Sequence, residues 1–169
     1  MAQVSVWFER RFNFPVPVEL LPNLLARLRG TPARLDDLLR ERPPAKVTTK
    51  PGGKWSAQEN AGHLLDLEPL WLKRVEDYVA GSAQLSVTDL QNRQTDAANY
   101  NERPLAEILD GFRSARHHLL ERVDQLDASL FTHAIVHPRL KTPMLLADHL
   151  YFVAEHDDHH LARIWELLG

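Results

Sequence analysis

The sequence predicts an all-α, up-down-down-up four-helix bundle with a long crossover between the second and third helices. Three observations predict it. Apolar residues recur at three- and four-residue spacing in four separate stretches. Each stretch opens on a helix-start signal. The segment between the second and third stretches, about 20 residues long, has almost no periodicity, and a connection of that length suits parallel neighbours, because antiparallel ones need only a short turn.

The elements follow in order. Residues 1–18 hold Trp7, Phe8, Phe12 and Phe14 around a basic centre, and Pro15 and Pro17 break regular structure, so this segment reads as an aromatic arm packed on the bundle or on a partner subunit. From Glu19 a helical stripe of Leu20, Leu21, Leu24, Leu25 and Leu28 begins. Gly30 is placed to end it, and Thr31-Pro32 to cap and restart a helix carrying Leu35, Leu38 and Leu39 before Pro43-Pro44. Ser56 with Glu59 is a capping-box pattern, so the second long helix starts there and runs to about Gly81, with Leu64, Leu67, Trp71, Val75 and Tyr78 buried and a kink at Pro69. A third helix begins near Pro104. Residues 127–141 are irregular, with a short extended piece around Ala134–Val136. Thr142-Pro143 repeats the cap-then-proline start for a fourth helix ending near Leu168.

Composition narrows the function classes. The chain has 169 residues, 44% of them hydrophobic and 25% charged, which suits a single domain spanning 1–169. A net charge of -3 gives no footprint for nucleic acid. Cysteine is absent, which excludes disulfides, thiolate metal sites and a cysteine nucleophile. No run is apolar enough to span a membrane and the start lacks a signal-peptide pattern, so a cytoplasmic protein is expected.

The chemistry concentrates in the histidines. His156 and His160 are four apart, one turn on the same helix face, within the stripe Leu146, His149, Val153, His156, His160, Ile164, Leu167. Imidazoles buried in a core stripe need partners. His63, the one histidine on the second helix, continues the stripe of Leu67, Leu70 and Trp71. It lies about 10 Å into its helix, and His160 and His156 lie about 12 and 18 Å before the end of theirs, at about 1.5 Å per residue. Antiparallel packing of these two helices brings the three to one level, and the proposed topology supplies that packing. Three histidines without a fourth protein ligand form an open metal site, suited to Zn, Ni, Fe or Cu.

Other residues carry competing readings. His159 is the rival partner for His156 but points off the stripe. His149 either lines a cavity or is a hydrogen-bonded core group, and His137 sits in a loop from which it can approach the site. His117, His118 and His133 read as surface residues. Glu59 faces the metal or closes the cap, and the cap needs only local geometry. Glu155, Asp157 and Asp158 either orient the imidazoles or form a solvated face.

The blocks WFERRFNF, GKWSAQENAGHLLDLEPLW and AEHDDHHLARI, in that order, resemble the DinB/YfiT-like family of metal-binding bundles over nearly the whole chain. That family places one histidine on the second helix and an H-x3-H pair on the fourth, which map to His63, His156 and His160. The resemblance implies one divalent ion (Zn, Ni, Fe or Mn), frequent homodimers, and a metal-dependent thiol S-transferase or hydrolase acting on small electrophilic or xenobiotic substrates, with a low-molecular-weight thiol such as bacillithiol, mycothiol or glutathione as partner. The alternative is a non-catalytic stress or DNA-damage-associated protein whose metal is structural or sensory. A cavity beside the ion large enough for a thiol distinguishes the two.

Overall fold

The computed structural model describes residues 3–169; Met1 and Ala2, the first two residues of the aromatic arm, lie outside them. Four long helices build the bundle: α1 (Leu21–Leu39), α3 (Ala57–Val79), α5 (Leu105–Asp124) and α6 (Leu146–Leu168). Two short helices, α2 (Pro44–Val47) and α4 (Arg93–Ala97), and a two-stranded antiparallel sheet, β1 (Ala134–Val136) with β2 (Pro143–Leu145), occupy the connections.

Side-chain pairings fix the directions. Asn60 meets His160 at one end of α3 and Tyr78 meets Met144 and Leu145 at the other, so α3 and α6 are antiparallel. Glu68 pairs with Arg116 and Glu76 with Arg122, so α3 and α5 are parallel. Arg29 pairs with Asp124 and Arg40 with Asp110, so α1 and α5 are antiparallel. The order is up-down-down-up, as the long crossover predicts.

Two helix boundaries differ from expectation. Gly30, Thr31 and Pro32 do not break α1, which runs through them without interruption. Pro32 lacks the N–H that Leu28 O would accept, and Arg116 Nη1 supplies that bond instead at 3.3 Å. The Thr31 hydroxyl donates to Asp157 at 2.9 Å rather than capping a new helix. At α6, Thr142-Pro143 is not the start. Pro143 pairs with Val136 in the sheet, and the helix opens at Leu146, where Asp148 accepts from Leu145 N at 2.9 Å and from Val16 N at 2.7 Å.

The other starts follow the sequence. Ser56 and Glu59 form both bonds of the capping box. The expected stripe of α3 faces inward: Leu64, Trp71, Val75 and Tyr78 are buried and Leu67 is half-buried. The crossover from residue 80 to 104 folds back along α3, so that Tyr100 covers Gly62; a Cβ on Gly62 would stand 2.2 Å from the Tyr100 ring. The aromatic arm packs on α6, with the Trp7 ring centroid 5.2 Å from Phe152 and 5.0 Å from His156.

At the centre, Arg116 of α5 ties all four long helices together. It donates to Glu68 of α3 (2.6 and 3.1 Å), to Asp157 of α6 (2.5 and 3.1 Å) and to the freed Leu28 carbonyl of α1. Burial alone would pull the Arg116 pKa down, but the two carboxylates more than offset it and hold the guanidinium charged. Burial pushes Glu68 up to about 7 against the pull of Arg116.

Candidate metal centre

His63 sits two turns into α3, placed there by the capping box. His156 and His160 lie one turn apart on α6. One ring nitrogen from each of the three lies within 4.8 Å of the others, and all three residues are buried. Among the described residues this is the one cluster of three or more histidine or carboxylate side chains so arranged.

Hydrogen bonds set the tautomers of two rings. Thr95 donates its hydroxyl to Asp66 at 2.8 Å, so at 3.0 Å it accepts from His63 Nδ1. Asn60 donates its amide to the Ser56 carbonyl at 2.7 Å, which turns its oxygen toward His160 Nδ1 at 2.8 Å. Both rings therefore carry their proton on Nδ1 and keep Nε2 as a free lone pair. Asp66 also accepts from Tyr100 at 2.6 Å and Gln94 at 2.9 Å, so its charge is locked toward Thr95. His156 Nδ1 is buried with no hydrogen-bond partner among the described residues.

Protonation is disfavoured at all three. Burial lowers His63 to about 4, with Asp66 opposing, and burial with neighbouring imidazoles holds His156 and His160 well below 6.5. Neutral imidazoles in close convergence, one with an orphaned buried nitrogen, fit a divalent ion of the borderline class. His63, His156 and His160 are the residues that would hold it.

The cluster opens into a cavity of about 870 Å³. Trp7, Trp55, Leu67, Trp71 and Phe152 give it apolar walls, the crossover contributes Val87, Thr88 and Leu90, and the loop after β1 contributes His137 and Arg139. His137 thus reaches the cavity, as its loop position allowed.

The remaining expectations divide. His159 is half-buried and lines the cavity, outside the cluster. His149 is buried and absent from the cavity wall, and its ring lies beside Trp71 with centroids 5.8 Å apart. His117, His118 and His133 are exposed. Glu59 serves the cap and also accepts from Lys50 at 2.7 Å. The acidic residues beside the ligand pair turn away to arginines: Asp157 to Arg116, Asp158 to Arg27 and Arg34, and Glu155 to Arg10 and Arg27. Sequence reasoning missed Asn60 and Thr95. Asn60 was visible as a polar residue one turn before His63 on the same face; Thr95 comes from the aperiodic crossover and had no signal.

Residues 27–164 match the DinB superfamily. The fold is also that of YfiT from Bacillus subtilis, described as a probable metal-dependent hydrolase with an unusual four-helix bundle topology, at a TM-score of 0.82 and 18% identity, covering 94% of this chain and 91% of that one. No curated protein matches the sequence significantly. No helix is long and apolar enough to cross a membrane. The matched stretch covers most of α1, all of α3 and α5, most of α6 and all three clustered histidines, and the chain belongs to the DinB superfamily.

Proposed function

We propose that this chain is a metal-dependent enzyme in which His63, His156 and His160 hold one divalent ion, and a small electrophilic substrate reacts beside it with a low-molecular-weight thiol or with water. The observation that carries this reading is the convergence of three neutral imidazoles, without a fourth protein ligand, on the wall of a cavity of about 870 Å³. A bound ion of this kind makes a coordinated water or thiol acidic near neutral pH. A cavity of this size beside the cluster leaves room for a thiol and an organic substrate, which favours an enzyme over a metal-stabilised or sensory bundle.

The chain's own groups have definable work. Asn60 and Thr95 orient two of the rings through Nδ1. Trp7, Trp55, Trp71 and Phe152 present flat apolar faces that hold an organic substrate and exclude water. Of the carboxylates near the rings, Glu59 is engaged by Ser56 and Lys50, Asp157 by Arg116 and Asp66 by Thr95 and Tyr100, whereas Asp96, on the cavity wall, accepts only from Trp55 Nε1 at 2.8 Å. YfiT's description as a probable metal-dependent hydrolase supports water as the nucleophile; the family resemblance supports a thiol.

The test is a turnover screen of metal-loaded protein. Bacillithiol, mycothiol, glutathione and cysteine are each offered with 1-chloro-2,4-dinitrobenzene, and p-nitrophenyl esters are offered without thiol. Turnover that disappears on chelation, returns with metal, and is lost in His63→Ala and His160→Ala is expected. Turnover indifferent to chelation and to both substitutions overturns the proposal, as does stoichiometric metal binding with no turnover of any pair.

A further inference from the structure

One side of the cavity holds two guanidiniums that no carboxylate contacts; Asp77, whose charge reaches Arg74, accepts from the Ser86 N–H instead. Arg74 of α3 is buried, with 1% of its surface exposed. Its Nε donates to the Ser86 carbonyl at 3.0 Å, and its Nη1 faces His137 Nε2 at 3.3 Å. Arg139 is half-buried over the Phe8 and Phe152 rings, and its Nη2 is buried without a partner. Among the described residues neither guanidinium forms an ion pair with a carboxylate. Arg116, equally buried, has two. Buried arginine is ordinarily paired, because an isolated buried charge is costly.

The hydrogen-bond count at this place shows the same deficit. His137 Nδ1 faces the backbone N–H groups of Arg139 at 3.3 Å and Leu140 at 3.2 Å, while Nε2 faces Arg74. A neutral imidazole accepts at one nitrogen only, so in either tautomer an N–H confronts an N–H. Trp71 Nε1, also on the cavity wall, is a buried donor with no acceptor. Arg139 and Trp71 thus each hold a donor without an acceptor on the cavity wall to which Arg74 also contributes.

From this arrangement we infer that Arg74 and Arg139 form a carboxylate-binding subsite, so that the substrate, or the thiol that reacts with it, carries a carboxylate held beside the Trp71 indole that also neighbours His156. A carboxylate supplies the missing acceptors and the missing charge together, and a guanidinium fork receives it through paired bonds. The spacing sets where that group sits. The Arg74 Cζ lies 5.4 Å from the Trp71 ring, and the His156 ring lies 5.7 Å from the same indole. One indole therefore neighbours both the anionic group and the reacting centre, and the apolar body of the molecule lies along it.

The inference deepens the proposed function but is tested apart from it. The probes are 4-phenylbutyrate and its primary amide, titrated by calorimetry and by quenching of tryptophan fluorescence, with metal-loaded and with chelated protein. The carboxylate is expected to bind at least tenfold tighter than the amide in both forms. Arg74→Met is expected to abolish that preference, and Arg139→Gln to reduce it severalfold. A preference that vanishes on chelation and survives Arg74→Met places the carboxylate on the ion and overturns the subsite, as does equal binding of acid and amide by the wild-type protein. His63→Ala is expected to lose metal and keep the preference, so failure of the metal site and failure of the subsite are distinguishable. The melting temperature of Arg74→Met without ligand is expected to equal or exceed wild type; a drop of many degrees would mark Arg74 as a structural pin for the Ser86 segment and overturn the assignment.

Discussion

His63 and His160 are each held through Nδ1 by a side chain whose own orientation is fixed by another bond, so the cost of losing a ligand differs from that of losing its holder. Metal analysis of purified variants is expected to show a sharp fall in stoichiometry for His63→Ala and His160→Ala and none for the exposed His117→Ala; equal metal in all three rejects the ligand assignment. Thr95→Val and Asn60→Ala keep the ligands and release the rings. They are expected to weaken metal affinity about 10- to 100-fold while retaining one ion at saturation, measured by competition with a chromophoric chelator. At this scale the trio was legible because two of its members repeat at helical spacing and the third falls at the matching level of an antiparallel partner. Thr95 was not legible, because its position depends on how an aperiodic segment folds back on α3. Arg74 gave no signal either, since a lone arginine in an amphipathic helix looks like any solvated residue until its missing partners are counted.

Glycine separates local from tertiary control of the helices. A stop and restart at Gly30-Thr31-Pro32 is sound by local rules, and α1 overrides it because partners from α5 and α6 satisfy the exposed carbonyl and the hydroxyl. Gly30 is then an ordinary helix-interior glycine, and a methyl group added there would meet nothing within 4 Å. Gly30→Ala is expected to stabilise the protein by about 0.5–1 kcal/mol. Gly62→Ala makes the same backbone gain but drives a methyl into Tyr100, and a net loss of about 1–3 kcal/mol is expected. Urea denaturation of both variants checks the pair, and a shift of the same sign in each would mean that the Tyr100 contact yields freely. Helix starts were legible wherever a local bond makes them, as at Ser56. The start of α6 was not, because its cap position is Leu145, which has no side-chain oxygen to mark it, and the Asp148 that accepts from Leu145 N is shared with Val16, distant in sequence.

For the molecule as a whole, the centre of the bundle depends on a charge cluster that no periodicity predicts. Arg116→Met strands Glu68 and Asp157 in the interior and is expected to cost about 3–5 kcal/mol, by denaturant unfolding. Replacing all three by apolar residues of similar volume is expected to restore most of that loss. Acid acts on the metal-free fold through the histidines. Burial holds His63 near 4, His137 near 3, and His149, His156 and His160 well below 6.5. Glu68, raised from 4.5 to about 7, works in the opposite direction, but the five histidines outweigh one carboxyl, so the unfolded chain binds more protons below pH 6.5 and stability falls as pH drops toward 4. Melting temperatures between pH 7.5 and 4.5 are expected to fall steeply, and a flat profile would contradict these shifts. The crossover that latches His63 through Thr95 also supplies Val87, Thr88 and Leu90 to the cavity. A library meant to retune what the cavity accepts has freedom at 87, 88 and 90, whereas randomising 95 or 100 along with them would enrich, unintentionally, clones in which the His63 ring is no longer held in place.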